Sequence, residues 1–166
     1  MDIDETNLVL EVANIQNTFE TEQAIPEKDS YRFSKLYAEA KSYAAKGAVV
    51  DNETLTVANI LEWFDEQMSK MDDLSVPQEG RIFYVTSAIN KLLKSADGIT
   101  RTMSVGAAGV INRRVHGLDD VQIKTVPSAR FKTKYEFTNG CTPAAAAKQM
   151  NAMLIHPSCV ISRDKY

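Results

Sequence analysis

Residues 79–96 read EGRIFYVTSAINKLLKSA, a short apolar strand that runs directly into an amphipathic helix. Ile82, Phe83, Tyr84 and Val85 follow one another with little polar alternation, the pattern of a central strand covered on both faces. Ser87 offers a cap, and Ile89, Leu92, Leu93 and Ala96 then fall on one face of a helix over 88–96. Downstream, VQIKTV at 121–126 reads as a returning strand stopped by Pro127. Met153–Ile155 forms a third strand closing on His156-Pro157, and Cys159-Val160-Ile161 is expected to continue it. Strand, helix and returning strands predict an α+β domain with a central sheet flanked by helices.

Upstream of this unit the pattern is helical. Leu8, Val12, Ile15 and Phe19 are spaced by four, three and four residues, one apolar stripe on a helix over 4–20. Such a rod is about 25 Å long at 1.5 Å per residue and is marginal alone, so its stripe needs a partner surface. Ile25-Pro26 is expected to break it, because the residue before proline avoids the helical region. A second helix over 27–46 places Phe33, Leu36, Tyr37, Ala40 and Tyr43 inward and ends at Gly47. A third, over 56–71, is capped by Thr54 or Thr56 and carries Val57, Ile60, Leu61, Phe64, Met68 and Met71 on one side. Trp63 sits just off that stripe, as a half-buried packing residue.

Residues 97–117, DGITRTMSVGAAGVINRRVHG, hold four of the seven glycines. TRTMSV and VINRRV read as the arms of an exposed hairpin tipped by Gly106-Ala107-Ala108-Gly109. Over 131–137 a short strand sets Phe131, Tyr135 and Phe137 on one face. Thr142-Pro143 before AAAAKQ reads as a capped helix start.

Little in the composition points to chemistry. The 19 basic and 22 acidic residues leave a net charge of −3, so the chain lacks the basic footprint of a nucleic-acid binder. If it belongs to something that encloses DNA, it forms wall rather than clamp. Hydrophobic residues make up 44% and charged ones 25%, a globular balance in one domain-sized chain. No apolar run approaches the ~18–20 residues of a membrane span, and the acidic MDIDETN start is unlike a signal peptide. Cys141 and Cys159 lack metal spacing and read as packed, reduced thiols. His116 and His156 are too far apart in sequence to suggest a metal pair. A Cys141–His156 nucleophile pair has only residue type in its favour. The GAAG run lacks the Gly-Lys-Ser/Thr ending of a phosphate loop. Asp72-Asp73 and Asp119-Asp120 read as turn carboxylates. Arg113 and Arg114 form the one basic doublet of the glycine-rich excursion, either solvated or set against an acidic neighbouring chain.

Five segments taken in order carry a resemblance: MDIDETNLVLEVANIQNTF, AIPEKDSYRFSKLYAEA, VPQEGRIFYVTSAINKLLKS, GLDDVQIKTVPSARFKT and AKQMNAMLIHPSCVI. Together they resemble the major capsid proteins of tailed double-stranded DNA phages and prophages, the Hong Kong ninety-seven fold. The resemblance implies that residues 1–25 are the later part of a peripheral-domain spine helix and 26–166 an axial domain. It implies a virion structural protein, made in the bacterial cytoplasm, without catalytic, cofactor or metal site. Its partners would be copies of itself in pentamers and hexamers, a scaffolding protein and a portal, with no sequence-specific nucleic-acid contact and no membrane. Inter-subunit contacts would fall to Gly106, Gly109, Arg113 and Arg114 in the axial loop, and to the spine stripe of Leu8, Val12, Ile15 and Phe19. The family's N-terminal arm, extended loop and last strands would lie outside these residues, so mainly monomer or small oligomers rather than closed shells are expected. Two alternatives stand beside this: an encapsulin-type shell protein, and a small standalone α+β enzyme or ligand-binding domain.

Overall fold

The computed structural model describes residues 5–96, 104–105, 111–112, 115, 117–138 and 140–161. In chain order these form α1 (Glu5–Phe19), a π turn (Glu20–Ala24), α2 (Ile25–Ser42), a short 3-10 turn (Ala44–Lys46) and α3 (Ile60–Asp73). There follow β1 (Ile82–Thr86), α4 (Ser87–Ser95), β2 (Ser104–Val105), β3 (Ile111–Asn112), β4 (Gly117–Leu118) and β5 (Val121–Val126). The chain then runs through β6 (Tyr135–Glu136), β7 (Thr142–Pro143) and β8 (Ala152–Ile155). The α+β class read from the sequence holds.

The main sheet has the order β4-β5-β1-β8. Its centre is β1, parallel to β5 from Ile82↔Gln122 to Thr86↔Val126 and antiparallel to β8 from Ile82↔Ile155 to Val85↔Ala152. A parallel neighbour requires a crossover, and α4 begins it without any loop. The helix cap is Thr86 rather than Ser87: its hydroxyl accepts from Ile89 N at 3.4 Å. Asn90 then ties α4 to β5, its Nδ2 donating to Thr125 Oγ1 at 2.8 Å.

Alternation along β1 explains the unbroken apolar run. Phe83 and Val85 point into one core with Ile60 and Phe64 of α3, Ile89 and Leu93 of α4, and Val121 of β5. On the opposite face Tyr84 joins Val126, Phe131, Met150, Met153 and the α2 residues Phe33 and Tyr37. Phe33 meets Tyr84 and Phe131 edge-on, at centroid distances of 5.2 and 5.0 Å. The result is three layers, with α2 on one side of the sheet and α3 with α4 on the other. Trp63 is half-buried at a centroid distance of 6.2 Å from Phe83, a packing residue as expected.

Further expectations are corrected. The third helix begins at Ile60 rather than at 56, with Asn59 and not Thr54 or Thr56 at its cap position. Ile25-Pro26 does not break the first helix. The chain widens into a π turn, in which Ile25 N donates to Glu20 O, and Pro26 falls in the first turn of α2, where its missing N–H is not needed. The second helix ends at Ser42, four residues early, although Gly47 does stop the following turn at φ 79°. Residues 142–148 form no helix. Thr142 and Pro143 pair with Tyr135 and Glu136, and Ala144 N and Lys148 N donate to Lys134 O and Thr133 Oγ1. Cys159 does not extend β8. Pro157 cannot donate to a ladder, and 157–159 make a single 3-10 turn capped by His156. The predicted 97–117 hairpin is present in its stems, with Ser104↔Asn112 and Val105↔Ile111 paired antiparallel.

Candidate functional site

Of the two histidines, His116 lies outside the described residues and His156 is engaged in holding the fold. His156 Nδ1 accepts from Ser158 N at 3.2 Å and lies 2.6 Å from Ser158 Oγ. With Nδ1 an acceptor, the ring proton sits on Nε2 and is donated to Glu79 O at 3.0 Å. His156 thus clasps the end of β8 to the loop before β1. Cys159 donates to His156 O at 2.8 Å, and with both ring nitrogens engaged His156 presents no free nitrogen to either thiol. Among the described residues no three His, Cys, Asp or Glu side chains are grouped to hold a metal, and no helix is long and apolar enough to cross a membrane.

Arg81 is a residue that the sequence pattern did not reveal. Its side chain is wholly buried at the mouth of β1. Nε donates to Pro77 O at 2.9 Å, one terminal nitrogen donates to Val76 O and to Asp72 Oδ1, both at 2.6 Å, and the other approaches Met68 Sδ at 3.6 Å. The arginine fork therefore joins the end of α3 to the loop entering the sheet. Its hydrogen bond holds the Asp72 carboxyl below the usual carboxylate range, against a smaller opposing effect of desolvation. A charge beside a strand start looks solvated in one dimension, and only the bend at 74–80 encloses it.

Tyr135 plays a similar part below the sheet. Its hydroxyl donates to Ala129 O at 2.6 Å and accepts from Lys132 N at 3.1 Å. Burial raises its pKa, as it does that of Tyr84, where nearby Asp29 adds to the effect.

Two surfaces remain open. The first is the helical stripe. Every residue from 11 to 20 is exposed, and Val12, Ile15 and Phe19 retain 56%, 70% and 61% of their surface. They share one helix face as expected, uncovered by the described parts of the chain. Leu8 lies in α1, but its side chain falls outside the described part. Gly106, Gly109, Arg113 and Arg114 also lie outside the described residues. The second surface is an open groove of about 860 Å³ between the last turns of α2 and the 133–135 and 146–148 segments. Lys35, Lys41, Lys134 and Lys148 line it, against a single carboxylate, Asp51.

A second, smaller concavity, of about 480 Å³, is acidic, with Asp65, Asp72, Glu79, Asp119 and Asp120 around Met68 and Ser69. Asp119 and Asp120 form the two-residue turn between β4 and β5, at φ 47° and 63°. A mirror-image turn of this kind favours asparagine and glycine, so two aspartates there carry strain.

Comparison with protein-family models, with curated proteins and with solved structures finds no match.

Proposed function

We propose that this chain is a structural subunit that associates with copies of itself, the axial part and spine of a phage or prophage major capsid protein. The observation that carries the reading is the uncovered apolar stripe of α1. Burying apolar surface contributes about 25 cal/mol per Å², so three large apolar residues on one exposed helix face favour a covering surface. The five segments that resemble the capsid family stand in the family's order. A three-layer unit with both sheet faces covered suits a wall subunit, which presents rigid flanks rather than a reactant-holding cleft. Weak contacts between such flanks, repeated by symmetry, would together hold a closed shell. A catalytic reading built on Cys141 and His156 has less support, since both ring nitrogens of His156 are occupied by Ser158 and Glu79.

The test is sedimentation velocity over a concentration series, on the wild-type chain and on an Ile15→Glu/Phe19→Glu variant. Reversible, concentration-dependent association that the variant abolishes is the expected result. A wild-type chain that sediments as a monomer at every concentration would overturn the reading.

A further inference from the structure

We infer that α1 of one copy docks into the lysine-lined groove of the next. This rests on the proposed self-association and specifies the surfaces that make it. The two surfaces complement each other in charge, in apolar character and in shape. From residue 5 to residue 27 the chain carries five glutamates and no lysine or arginine, and Glu11, Glu20 and Glu22 are exposed alongside the apolar stripe. The groove offers four lysines, exposed and in no ion pair among the described residues, and its lining includes Tyr37, Ala38 and Ala146, which can meet apolar side chains. Lys35 and Lys41 stand about 9 Å apart along α2, within the length of the α1 rod.

The occupant is a second copy because α1 cannot reach the groove of its own chain. Phe19, Ala24 and Ile25 all keep right-handed helical angles, so α1 passes through the π turn into α2 without reversing. Phe19 therefore sits some 24 Å along the same rod from Lys35. The acidic concavity bearing Asp119 and Asp120 is the competing source of negative charge. Two concave surfaces do not interdigitate, whereas a helix about 10 Å across fits a groove. Docking of this kind is head-to-tail: one surface of each copy meets a different surface of the next, which gives rings where the rotation closes.

The experiment is a charge-swap exchange followed by sedimentation velocity, with circular dichroism to establish folding. One variant is E11K/E20K/E22K and the other K35E/K41E/K134E. Each alone should associate at least about tenfold more weakly than wild type, and an equimolar mixture should recover association because both cross-pairings are then complementary: unaltered α1 with unaltered groove, and reversed α1 with reversed groove. Raised salt should weaken the wild-type contact in the same direction. As a second readout, Ile15→Cys and Ala38→Cys chains, each in a Cys141→Ser/Cys159→Ser background, should form a disulfide-linked heterodimer on mixing and oxidation.

Wild-type association that neither reversal weakens, with no such heterodimer, overturns the docking while leaving self-association intact. A wild type that does not associate at all removes both. If D119K/D120K rather than E11K/E20K/E22K abolishes association, the acidic turn is the occupant and the inference is wrong. It is equally wrong if the groove binds a short DNA duplex, and K35E/K41E/K134E removes that binding without weakening self-association.

Discussion

Replacing Arg81 separates what its charge contributes from what its volume contributes. In Arg81→Met a side chain of similar bulk remains, but Pro77 O, Val76 O and Asp72 lose their donor. A hydrogen bond from a charged donor is worth about 1.5–3 kcal/mol where both groups are buried. Pro77 is exposed and Val76 half-buried, so water recovers part of each, and the exposed, solvent-screened Asp72 adds little. Relief of the guanidinium's desolvation offsets some of the remainder. The net expectation is a loss of about 1–3 kcal/mol. Arg81→Ala adds a cavity beneath Met68 and should lose about 3–5 kcal/mol. Urea unfolding followed by circular dichroism measures both, the stability change appearing as a lower midpoint at an unchanged slope. A methionine variant within about 0.5 kcal/mol of wild type, beside a strongly destabilised alanine variant, would show that Arg81 only fills space.

Three further outcomes follow from the same geometry. The Asp72 carboxyl is held low by Arg81, so its contribution is present above the ordinary carboxylate pKa of about 3.9 and fades as pH falls through its depressed folded value. Thermal melts of Asp72→Asn should accordingly lose less stability than wild type between about pH 4 and pH 2, and parallel profiles would contradict the assignment. Asp119→Asn/Asp120→Gly relieves two left-handed aspartates and should raise stability by about 1 kcal/mol, seen as a higher urea midpoint. In dilute solution, where copies are apart, amides of 11–19 should exchange faster than those of β1, because no described part of the chain covers α1. Equal protection would mean that α1 has a cover within the monomer.

The sequence disclosed elements wherever side-chain period alone decided them. Ile82–Val85 read as a doubly covered strand because both faces of β1 are packed, and the spacing of Leu8, Val12, Ile15 and Phe19 gave α1 within a residue at each end. Periodicity failed where a long-range partner overrode local preference. Arg81 gave no signal because the loop that encloses it is turned by Ser75, at φ 57°, and Gly80, at φ 82°, neither visible as a spacing. The alanine run 144–147 has the highest helix propensity in the chain, yet Ala144 and Lys148 are drawn into backbone pairing with Lys134 and Thr133. That reversal bears directly on the candidate site. A helix there would have withdrawn Lys148 N from Thr133 Oγ1, moving the wall that carries Lys134 and Lys148 relative to α2. The groove thus exists because pairing with 132–135 prevailed over alanine's intrinsic preference, and its positive lining is assembled from segments more than ninety residues apart in the chain.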